Sequence, residues 1–445
     1  MNKELKQLLI EHEKLINIVR CYPNIDRSTL AKYLDISLPT LANDITELKS
    51  QNIFDNKEGK NSKDSLIVNS NLGIYIGISI GGSQTKISIL KMDYSVLSAK
   101  EFDDLCETCK VFHKAPNNQK FIQHDDVASY GYVYTDTPAS FEDLLDTLDQ
   151  ILDYCIMIDK YVQSCGMFIL GIGLAITGAV DNRTRKIVKA YNLKFLNERC
   201  PISLDAIISG NRISYFSDQN INISLENIAK AAAISEKYIL YNQNNSENIH
   251  KDKKNIACIY LGSGIGCGLI LDNKLYRGTS NFSELGHIEV RDPDFLELSY
   301  NSDKIIDELC ECGNQHCLEY KIRTNVFGVS MKQFKALTSN KLCDLIMESP
   351  DKEYRLKLLG YYIGAAVNIL INILNLDLII FTGKLTALLD SSDLWRYINI
   401  AIASNKITYT TSGFSKIKSM YGALAPSVGA AICSSYSEGS EISWM

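Results

Sequence analysis

The sequence predicts an α/β protein that carries a small helical head at its N-terminus. Three observations lead to this prediction. Apolar runs of strand length recur from Gly73 onward, and several of them end in glycine-containing loops. Segments with apolar residues at helical spacing separate these runs. The first seventy residues instead carry short helical patterns and equal numbers of basic and acidic residues, ten of each.

The composition is that of an ordinary globular protein. The chain has 445 residues, 46% hydrophobic and 22% charged, and a chain of this length folds into about two to four domains. Its net charge of −6 argues against a broad surface that coats nucleic acid but is compatible with one small DNA-binding module. The N-terminus lacks a signal-peptide pattern, and polar residues interrupt the apolar run 364–381. We therefore expect a cytoplasmic protein without a membrane span.

The head has the pattern of a helix-turn-helix. A capping residue stands before each of two short helices, Asp26 or Ser28 before the first and Ser37 before the second. A tight turn separates the two helices. The segment 55–69 is first polar and basic and then alternates like a strand, which fits a β-wing. The alternative interpretation is a small helical adaptor or dimerisation domain.

The second helix of a helix-turn-helix enters the major groove of DNA. Asn can pair with adenine through two hydrogen bonds, and the Thr methyl group can contact thymine. Lysine side chains bind phosphates. The predicted DNA contacts are Ser28, Thr40, Asn43, Thr46, Lys57 and Lys60. Because the head is electrically neutral, a dimer is needed to gather enough phosphate contacts.

Two glycine-rich hairpins are the main feature of the body. The first joins two apolar runs through Gly81 and Gly82, and the second has glycines between 262 and 268. Such hairpins can bring backbone N–H groups close to a phosphate or a sugar, although most glycine hairpins are simply turns. Strands that end near Gly178 and Gly383 complete a mixed α/β body with duplicated phosphate-type hairpins.

The polar segment 106–130 interrupts this pattern and is predicted to be a surface insertion. Cys106, Cys109, His113 and His124 have a spacing that could bind zinc. A four-ligand zinc site is usually surrounded by regular structure, and this segment shows none. We favour a surface loop with free thiols and leave metal binding there open.

The strongest motif is the C-x-C-x4-C group of Cys310, Cys312 and Cys317. His287 can supply a fourth ligand, and His316, inside the cluster, is a rival. Three thiolates and one imidazole form a closed structural zinc site without an open position for a catalytic water. The remaining cysteines are expected to be reduced thiols, because no secretory signal is present.

Two glutamates flank the two halves of this motif. Glu284 precedes the histidine, and Glu319 follows the last cysteine. Zinc would pin the two segments together and hold both carboxylates at fixed positions. There they could accept hydrogen bonds from sugar hydroxyls.

These motifs together resemble the ROK family (repressors, open reading frames and sugar kinases), and specifically its repressor branch. The resemblance covers nearly the whole chain. GSGIGCGLILDNKLYRGTSNFSELGHIEV resembles the family's second phosphate segment with its E-x-G-H motif, and CECGNQHCLE resembles its C-x-C-G-x-x-G-C-x-E zinc signature, with His316 at the second glycine. GIGLAITGAVD and YNL at 191–193 resemble the loop and sugar-contact segment before the hinge. FSDQN at 216–220 resembles the N-D-A-N motif.

The resemblance implies a two-lobed actin/hexokinase-like (ribonuclease H-like) ATPase fold with sugar in the cleft and a structural zinc site. The implied domains are a winged helix-turn-helix (1–70), a first lobe (71–195, completed by a C-terminal helix at 425–445) and a second lobe with the sugar and zinc sites (196–424). Asp218 matches the catalytic base of kinase members, which takes a proton from a sugar hydroxyl. The implied sugar-binding residues are Asn192, Asp218, Asn220, Glu284, His287 and Glu319, and the implied zinc ligands are His287, Cys310, Cys312 and Cys317.

The nucleotide half departs from the pattern of the kinase members. Ser79 stands where their D-x-G-x-T-K hairpin has Asp, and a neutral hydroxyl is a poor magnesium ligand beside a carboxylate. The turn is two residues longer, and 382–384 reads Thr-Gly-Lys in place of paired glycines. We therefore expect structural Zn²⁺ but neither ATP nor Mg²⁺.

Two functional hypotheses follow. The favoured one is a non-enzymatic, sugar-responsive transcriptional regulator, a repressor, which binds operator DNA as a homodimer or homotetramer. The alternative is an ATP-dependent sugar kinase of this family with an appended helix-turn-helix. Asp218 supports the alternative, whereas Ser79 and Thr382 oppose it. The sequence leaves open which sugar binds, which operator is recognised and whether the ligand weakens or strengthens DNA binding.

Overall fold

A computed structural model of the chain describes an N-terminal head, two main β-sheets and the helices that join them. The described residues are 3–23, 25–56, 66–112, 122–123, 130–242, 250, 252–262, 264–278, 284–296, 309–337, 339–391, 393–404, 414–437 and 440–444.

The head contains four helices and two short strands. They are α1 (Lys3–Glu11), α2 (Glu13–Cys21), α3 (Arg27–Leu34), α4 (Leu38–Ser50), β1 (Phe54–Asn56) and β2 (Leu66–Val68). Asp26 caps α3 by accepting a hydrogen bond from the N–H of Thr29, and Ser37 caps α4 by accepting one from Thr40. Asp35 adopts a left-handed conformation (φ 57°) that lets the chain turn between them. The two predicted helices and the tight turn between them are therefore present, and the antiparallel pair β1–β2 follows them.

The body contains the remaining strands and helices. The strands are β3 (Gly73–Ile80), β4 (Gln84–Lys91), β5 (Ile122–Gln123), β6 (Tyr132–Asp136), β7 (Phe168–Ile176), β8 (Ala179–Asp181), β9 (Lys186–Lys189), β10 (Ile202–Ser203), β11 (Asn222–Asn227), β12 (Ile256–Leu261), β13 (Ile265–Leu271), β14 (Lys274–Tyr276), β15 (Leu378–Thr382) and β16 (Ser415–Lys418). The helices are α5 (Ala99–Cys109), α6 (Phe141–Ser164), α7 (Lys194–Asn197), α8 (Leu204–Ile207), α9 (Gly210–Asp218), α10 (Ile228–Asn242), α11 (Leu318–Lys321), α12 (Met331–Ala336), α13 (Ser339–Met347), α14 (Lys352–Leu374), α15 (Ala387–Ser391), α16 (Leu394–Ala403) and α17 (Ala425–Cys433).

Each half of the body is built on one mixed sheet. The first sheet has the strand order β11-β7-β3-β4-β6-β5, and the second has the order β14-β13-β12-β15-β16. In both, an antiparallel hairpin (β3–β4 or β12–β13) pairs with a parallel strand that follows later in the chain. Their central strands are buried on both faces, and the sequences of these strands are therefore continuous apolar runs.

Helices α10 and α17 lie between the two sheets, and their backbones come into direct contact with their neighbours. A Cβ atom at Gly77 of β3 would lie 1.8 Å from the carbonyl oxygen of Ser427 in α17, and one at Gly173 of β7 would lie 1.7 Å from that of Ala430. A Cβ at Gly429 of α17 would lie 1.7 Å from the carbonyl oxygen of Ala231 in α10. Only glycine allows these elements to approach so closely, so α17 is seated directly on the first sheet.

The topology corrects two expected boundaries. Strand β11 pairs in parallel with β7, so the first lobe continues past residue 195 instead of ending there. The C-terminal helix packs on the first sheet as expected but ends at Cys433. The described residues beyond it, 434–437 and 440–444, form an irregular tail, in which Ser443 pairs with Lys274 of the second sheet.

The predicted surface loop with free thiols is wrong for two of its cysteines. Cys106 and Cys109 lie on α5 and are buried in the core of the first lobe. Burial raises the pKa of Cys106 to about 12 and that of Cys109 to about 11. His113 and His124 lie outside the described residues, so a metal site there stays an open expectation.

Among the described helices, α14 is the one that is long and apolar enough to cross a membrane by length and composition. Its inner face packs against α16, where Gly360 and Gly364 lie close to Tyr397 and Ala401. Slightly more than half of its apolar stretch, 56%, is buried within the protein, as in the core helix of a globular domain.

We expect Gly77→Ala to lower the free energy of unfolding by about 1–3 kcal/mol, because the new methyl group overlaps the backbone of α17. Urea unfolding followed by circular dichroism measures this loss. Gly210→Ala at the start of α9 is the matched control, since a Cβ there meets nothing within 4 Å. Equal stability of the two variants would contradict the close seating of α17.

Candidate ligand cavity and metal centre

A cavity opens where the two sheets and the start of α10 meet. Both glycine hairpins contribute to its walls, as do the loop after β7 and the first residues of α10. The lining residues are Gly81, Gly82, Thr177, Gly178, Tyr191, Asn192, Asn227, Ile228, Ala229, Tyr260, Gly264, Ile265, Gly266, Glu284 and His287. Its volume is about 40 Å³, which leaves room for a few water molecules. A larger ligand therefore has to widen it.

The structure brings four of the sequence-predicted ligand residues together here. Asn192, Glu284 and His287 line the cavity. Glu319 lies beside it, and its Oε2 atom accepts a hydrogen bond from the N–H of Ile265 at 2.8 Å. A Cβ at Gly264 would lie 2.5 Å from Asn192 Nδ2 and 2.8 Å from Glu319 Oε2, so the hairpin needs glycine for these polar groups to approach it.

Glu284 and His287 are held by a short turn. Residues Leu285–His287 form a single 3₁₀ turn, and the N–H of His287 donates to the carbonyl of Glu284. Tyr191 stands edge-on to the imidazole with ring centres 6.3 Å apart. Burial raises the pKa of Glu284, and the neighbouring His287 and Lys230 oppose that shift. The cavity thus presents a carboxylate, an amide and an imidazole against an aromatic wall.

Asp218 and Asn220 do not line this cavity. Asp218 is exposed at the end of α9, and Asn220 precedes β11. In the register with β7, Asn222 pairs with Gly171 and Asn227 with Ile176, so the strand runs roughly 16 Å toward the cavity. Asp218 therefore lies near the end of β11 that is remote from the cavity, and the structure does not bring it or Asn220 together with the other predicted sugar-binding residues.

The cavity contains a different segment that the sequence interpretation missed. Asn227-Ile228-Ala229-Lys230 stands at the end of β11, with asparagine and alanine where the N-D-A-N motif has them. Asn227 donates to the carbonyl of Gly178 at 2.6 Å and accepts from the N–H of Ala229 at 2.9 Å, which anchors the start of α10. In a comparison of this segment with the N-D-A-N motif, the apolar residue Ile228 stands at the position of the aspartate. The Asn-x-Ala pair at the end of an apolar strand was the signal that could have identified it.

The four predicted metal ligands converge beside the cavity. One donor atom from each of His287, Cys310, Cys312 and Cys317 lies within 4.8 Å of the others. Cys310 Sγ is 3.6 Å from His287 Nδ1, and Cys312 Sγ is 3.9 Å from Cys317 Sγ. Tetrahedral zinc with ordinary bond lengths places sulfur pairs about 3.8 Å apart and nitrogen–sulfur pairs about 3.6 Å apart. The group therefore fits a zinc ion, and the exposed His316 is not a member of it.

A lysine lies next to each of the two segments in which the chain departs from the nucleotide motifs of the kinase members, Lys86 beside Ser79 and Lys384 after Thr382. Ser79 is buried on β3, and burial lowers the pKa of its cross-strand neighbour Lys86 to about 8. Thr382 donates its hydroxyl to the carbonyl of Gly422. Lys384 Nζ donates to the carbonyls of Phe334 and Leu337 at 3.2 and 3.0 Å. Burial, and then the charge of Lys86, lower the pKa of Lys384 to about 7.

Comparison with known proteins identifies the family of the chain. A family model described as "ROK family" matches residues 133–432. The chain belongs to the ROK family. The family recognised from the motifs is thereby confirmed.

Relatives within the ROK family include regulators and kinases. The chain is 25% identical to the xylose repressor of Caldicellulosiruptor bescii over 323 residues, 71% of this chain and 63% of that protein, so it spans less than two thirds of that relative's length. It is 22% identical to the xylose repressor of Bacillus subtilis (strain 168) over 391 residues, 86% of this chain and 83% of that protein. It is 24% identical to the glucokinase of Streptomyces coelicolor over 249 residues, 56% of each chain.

Solved structures share the ROK fold. A ROK family transcriptional regulator, a homolog of the E. coli MLC protein, superposes with a TM-score of 0.63 at 19% identity over 96% of this chain and 97% of that chain. A ROK family glucokinase from Streptomyces griseus in complex with glucose and AMPPNP superposes with a TM-score of 0.52 at 19% identity over 81% and 99%. The α/β fold is therefore shared by a regulator and a kinase, and the fold alone does not separate the two functions.

We expect the stability of this ROK body to depend on pH through Lys384. Its pKa is about 7 in the folded protein against an ordinary 10.5, so the folded state binds this proton more weakly than the unfolded chain does. Stability should therefore rise from about pH 7 to about pH 10, and Lys384→Met should reduce that rise. Urea unfolding at both pH values measures the slope. Replacing the exposed Lys186 with Met is the control, and an identical slope in wild type and Lys384→Met would refute the assignment.

Proposed function

We propose that this chain is a sugar-responsive transcriptional repressor of the ROK family. The head binds operator DNA, and the cavity between the sheets binds the sugar. The observation that carries the proposal is that an apolar residue, Ile228, lines the cavity at the position that corresponds to the aspartate of the N-D-A-N motif. A side chain without a titratable group cannot take a proton from a sugar hydroxyl, so the body is suited to bind a sugar rather than to phosphorylate it. The xylose repressors among the relatives support the same conclusion.

The polar groups of the cavity suit a sugar ligand. Glu284 and Glu319 can accept hydrogen bonds from hydroxyl groups, Asn192 can both donate and accept, and Tyr191 offers an aromatic face. The names of the relatives make D-xylose the first sugar to test. Because the cavity is narrow, the sugar has to move the hairpin or the start of α10 as it enters. A sensor requires such a structural difference between its ligand-free and ligand-bound states.

Several of the residues that are predicted to contact DNA are exposed on the surface of the head. Thr40, Asn43 and Thr46 are exposed on α4. Thr40 shares a hydrogen bond with Ser37, and the Thr46 hydroxyl donates to the carbonyl of Ala42, which leaves its methyl group for base contact. Ser28 is exposed but donates its hydroxyl to the capping Asp26. We therefore assign base reading chiefly to Asn43, while Lys57 and Lys60 lie outside the described residues.

Helix α10 connects the cavity to the head. It begins at Ile228 in the cavity wall and spans 15 residues, about 22 Å. Near its far end, Tyr238 donates to the carbonyl oxygens of Arg20 and Asp93, and Tyr241 packs on Tyr22 with ring centres 4.8 Å apart. A shift at the cavity end of α10 is thus carried to the base of the head.

Arg20 is the residue on which the head is anchored. It is buried and donates hydrogen bonds to Asn17, Tyr94 and Tyr75 at 2.6, 2.7 and 2.9 Å. Its guanidinium also lies over the ring of Tyr94, 4.2 Å from the centre. The neighbouring tyrosines hold the pKa of Arg20 above its ordinary value despite its burial. The charge is therefore retained at the junction between head and body.

Zinc completes the proposed sensor. His287, Cys310, Cys312 and Cys317 would hold the ion as a closed structural site. The ion would tie the turn that carries Glu284 to the helix that carries Glu319 and so set the distance between the two carboxylates. We also propose that the protein acts in the cytoplasm as a homodimer or homotetramer, since paired heads match paired operator half-sites.

Sugar phosphorylation is the alternative function, because a glucokinase is among the relatives. Ile228 and Ser79 oppose it, since the first replaces the base and the second replaces a magnesium ligand. A coupled assay of ADP release against a panel of hexoses and pentoses decides between the two. Turnover on the order of 1–100 per second would establish a kinase.

We expect a sugar to change the affinity of the protein for its operator by about 5- to 150-fold. The operator is obtained by selection from random DNA, and the binding is measured by fluorescence anisotropy with and without D-xylose and D-glucose. Glu284→Gln should abolish the sugar effect because it weakens an acceptor in the cavity wall. Asp218→Asn should leave the sugar effect intact, because Asp218 lies near the end of β11 that is remote from the cavity. If no sugar in the panel changes operator affinity, the sensor function is excluded.

We expect the purified protein to contain about one zinc ion per chain. Cys312→Ser should lose the metal and lower the melting temperature, because the site joins two segments of the second lobe. Atomic absorption and differential scanning calorimetry report the two effects. Cys165→Ser is the control, since Cys165 is also exposed but lies outside the cluster. A metal-free protein whose melting temperature does not rise on addition of Zn²⁺ would refute the site.

A further inference from the structure

Helix α4 of the head presents an exposed surface at its beginning. Its buried side chains, Leu41, Ile45 and Leu48, point into the core of the head. Within residues 38–46, the other side chains apart from the half-buried Asp44 are exposed. They are Leu38, Pro39, Thr40, Ala42, Asn43 and Thr46, and we call them the reading face. Leu38 is apolar and yet 54% exposed.

The hydroxyl groups of the reading face are already used within the head. The Thr40 hydroxyl shares a hydrogen bond with that of Ser37 at 2.7 Å, and the Thr46 hydroxyl donates to the carbonyl of Ala42 at 2.8 Å. Asn43 makes no hydrogen bond to another residue within the described part of the chain. The reading face therefore offers chiefly methyl groups, together with the amide of Asn43.

The reading face also carries no charged side chain. The basic residue of α4 is Lys49, in its last turn, whereas guanine is recognised in the major groove most often by arginine or lysine. A carboxylate can accept a hydrogen bond from the amino group of cytosine. However, Asp44 is half-buried, and Glu47 Oε2 lies 3.6 Å from His12 Nε2. The face thus lacks the side chains that usually recognise a G·C pair.

The base edges that match this face belong to A·T pairs. In the major groove, thymine presents its C5 methyl group, which packs against apolar side chains. Adenine presents N7 and its N6 amino group, which an asparagine amide binds through two hydrogen bonds. The first residues of a recognition helix are those that reach base edges. Leu38, Ala42 and Thr46 therefore suit thymine, and Asn43 suits adenine.

We infer that α4 recognises A·T base pairs, and that Leu38, which is not among the predicted DNA contacts, is a specificity-determining residue that packs on a thymine methyl group. This inference rests on the proposed operator binding of the head and names the class of half-site that the head selects. A G·C pair beneath the reading face would place polar base edges against methyl groups, without hydrogen-bond partners. Such half-sites are therefore excluded.

Replacement of thymine by deoxyuridine tests the methyl contacts, because deoxyuridine lacks the C5 methyl group but pairs in the same way. The half-site is selected from random DNA without sugar and at one fixed salt concentration, since salt changes the affinity. Fluorescence anisotropy measures binding. We expect A·T pairs at the positions that α4 contacts. Each contacted thymine replaced by deoxyuridine should weaken binding about fourfold.

Leu38→Ala identifies the side chain that meets the methyl group. In this variant, deoxyuridine at the contacted position should cause no further loss, because the apolar contact is already absent. The buried side chains of α4 are unchanged, so the head keeps its core. Leu345→Ala is the matched control, since Leu345 is also an exposed leucine but lies on α13 in the second lobe. It should retain the full fourfold loss.

Replacement of adenine by 7-deazaadenine tests Asn43 in the same way, because the modified base lacks the N7 acceptor but still pairs with thymine. At the contacted adenine it should weaken binding about tenfold. Asn43→Ala should abolish the difference between the two bases, since the amide that reads N7 is then missing.

Four outcomes would overturn the inference. They are a required G·C pair at the contacted positions, deoxyuridine without effect at every thymine of the half-site, an equal deoxyuridine loss in wild type and Leu38→Ala, and a selection that yields no preferred sequence. The last would also refute operator binding, whereas the first three leave the proposed function in place. An operator affinity that no sugar changes refutes the sensor function alone, because these titrations contain no sugar.

Discussion

The contact between α10 and α17 is the constraint on which the rest of the structure depends. Glycines at positions 77, 173 and 429 let α17 touch the first sheet and α10 at backbone distance. On its other side, α10 reaches the second sheet, where a Cβ at Gly268 would lie 2.3 Å from the carbonyl oxygen of Ala229. With no side chains between them, these elements cannot slide past one another freely. Both lobes, the ligand cavity and the base of the head are therefore joined through one helix.

That arrangement is compatible with the proposed function of the body as a sugar sensor. The same residues that form the cavity wall begin α10, and the other end of α10 contacts Arg20 at the head. Ligand entry into the narrow cavity and movement of the head would then both involve α10. Under the proposed function, the apolar side chain at position 228 would permit sugar binding but not phosphorylation, because phosphorylation requires a base there. The shared fold of regulators and kinases is compatible with both.

Parts of the site could be predicted from the sequence because their chemistry is local. Cys310, Cys312 and Cys317 lie close in the chain, so their spacing already indicates a metal site. The helix-turn-helix was predictable for the same reason, since its caps and its apolar positions lie within a few residues of one another. Asp218 was expected in the sugar site but lies away from the cavity, because a short motif matched by composition carries no information on which end of a strand it occupies. Cys106 and Cys109 looked like loop residues in a polar segment, and only the packing of α5 shows them in the core.

The sequence by itself determined the ROK family, the order of head and body, and most of the residues that surround the metal centre. These properties follow from spacing along the chain and from hydrophobic periodicity, both of which are local. The tertiary structure alone decided that β11 belongs to the first sheet, that Ile228 lines the cavity between the sheets and that residues of the C-terminal tail are hydrogen-bonded to the head. Each of these depends on contacts between residues far apart in sequence, and such contacts are set by how helices and strands pack.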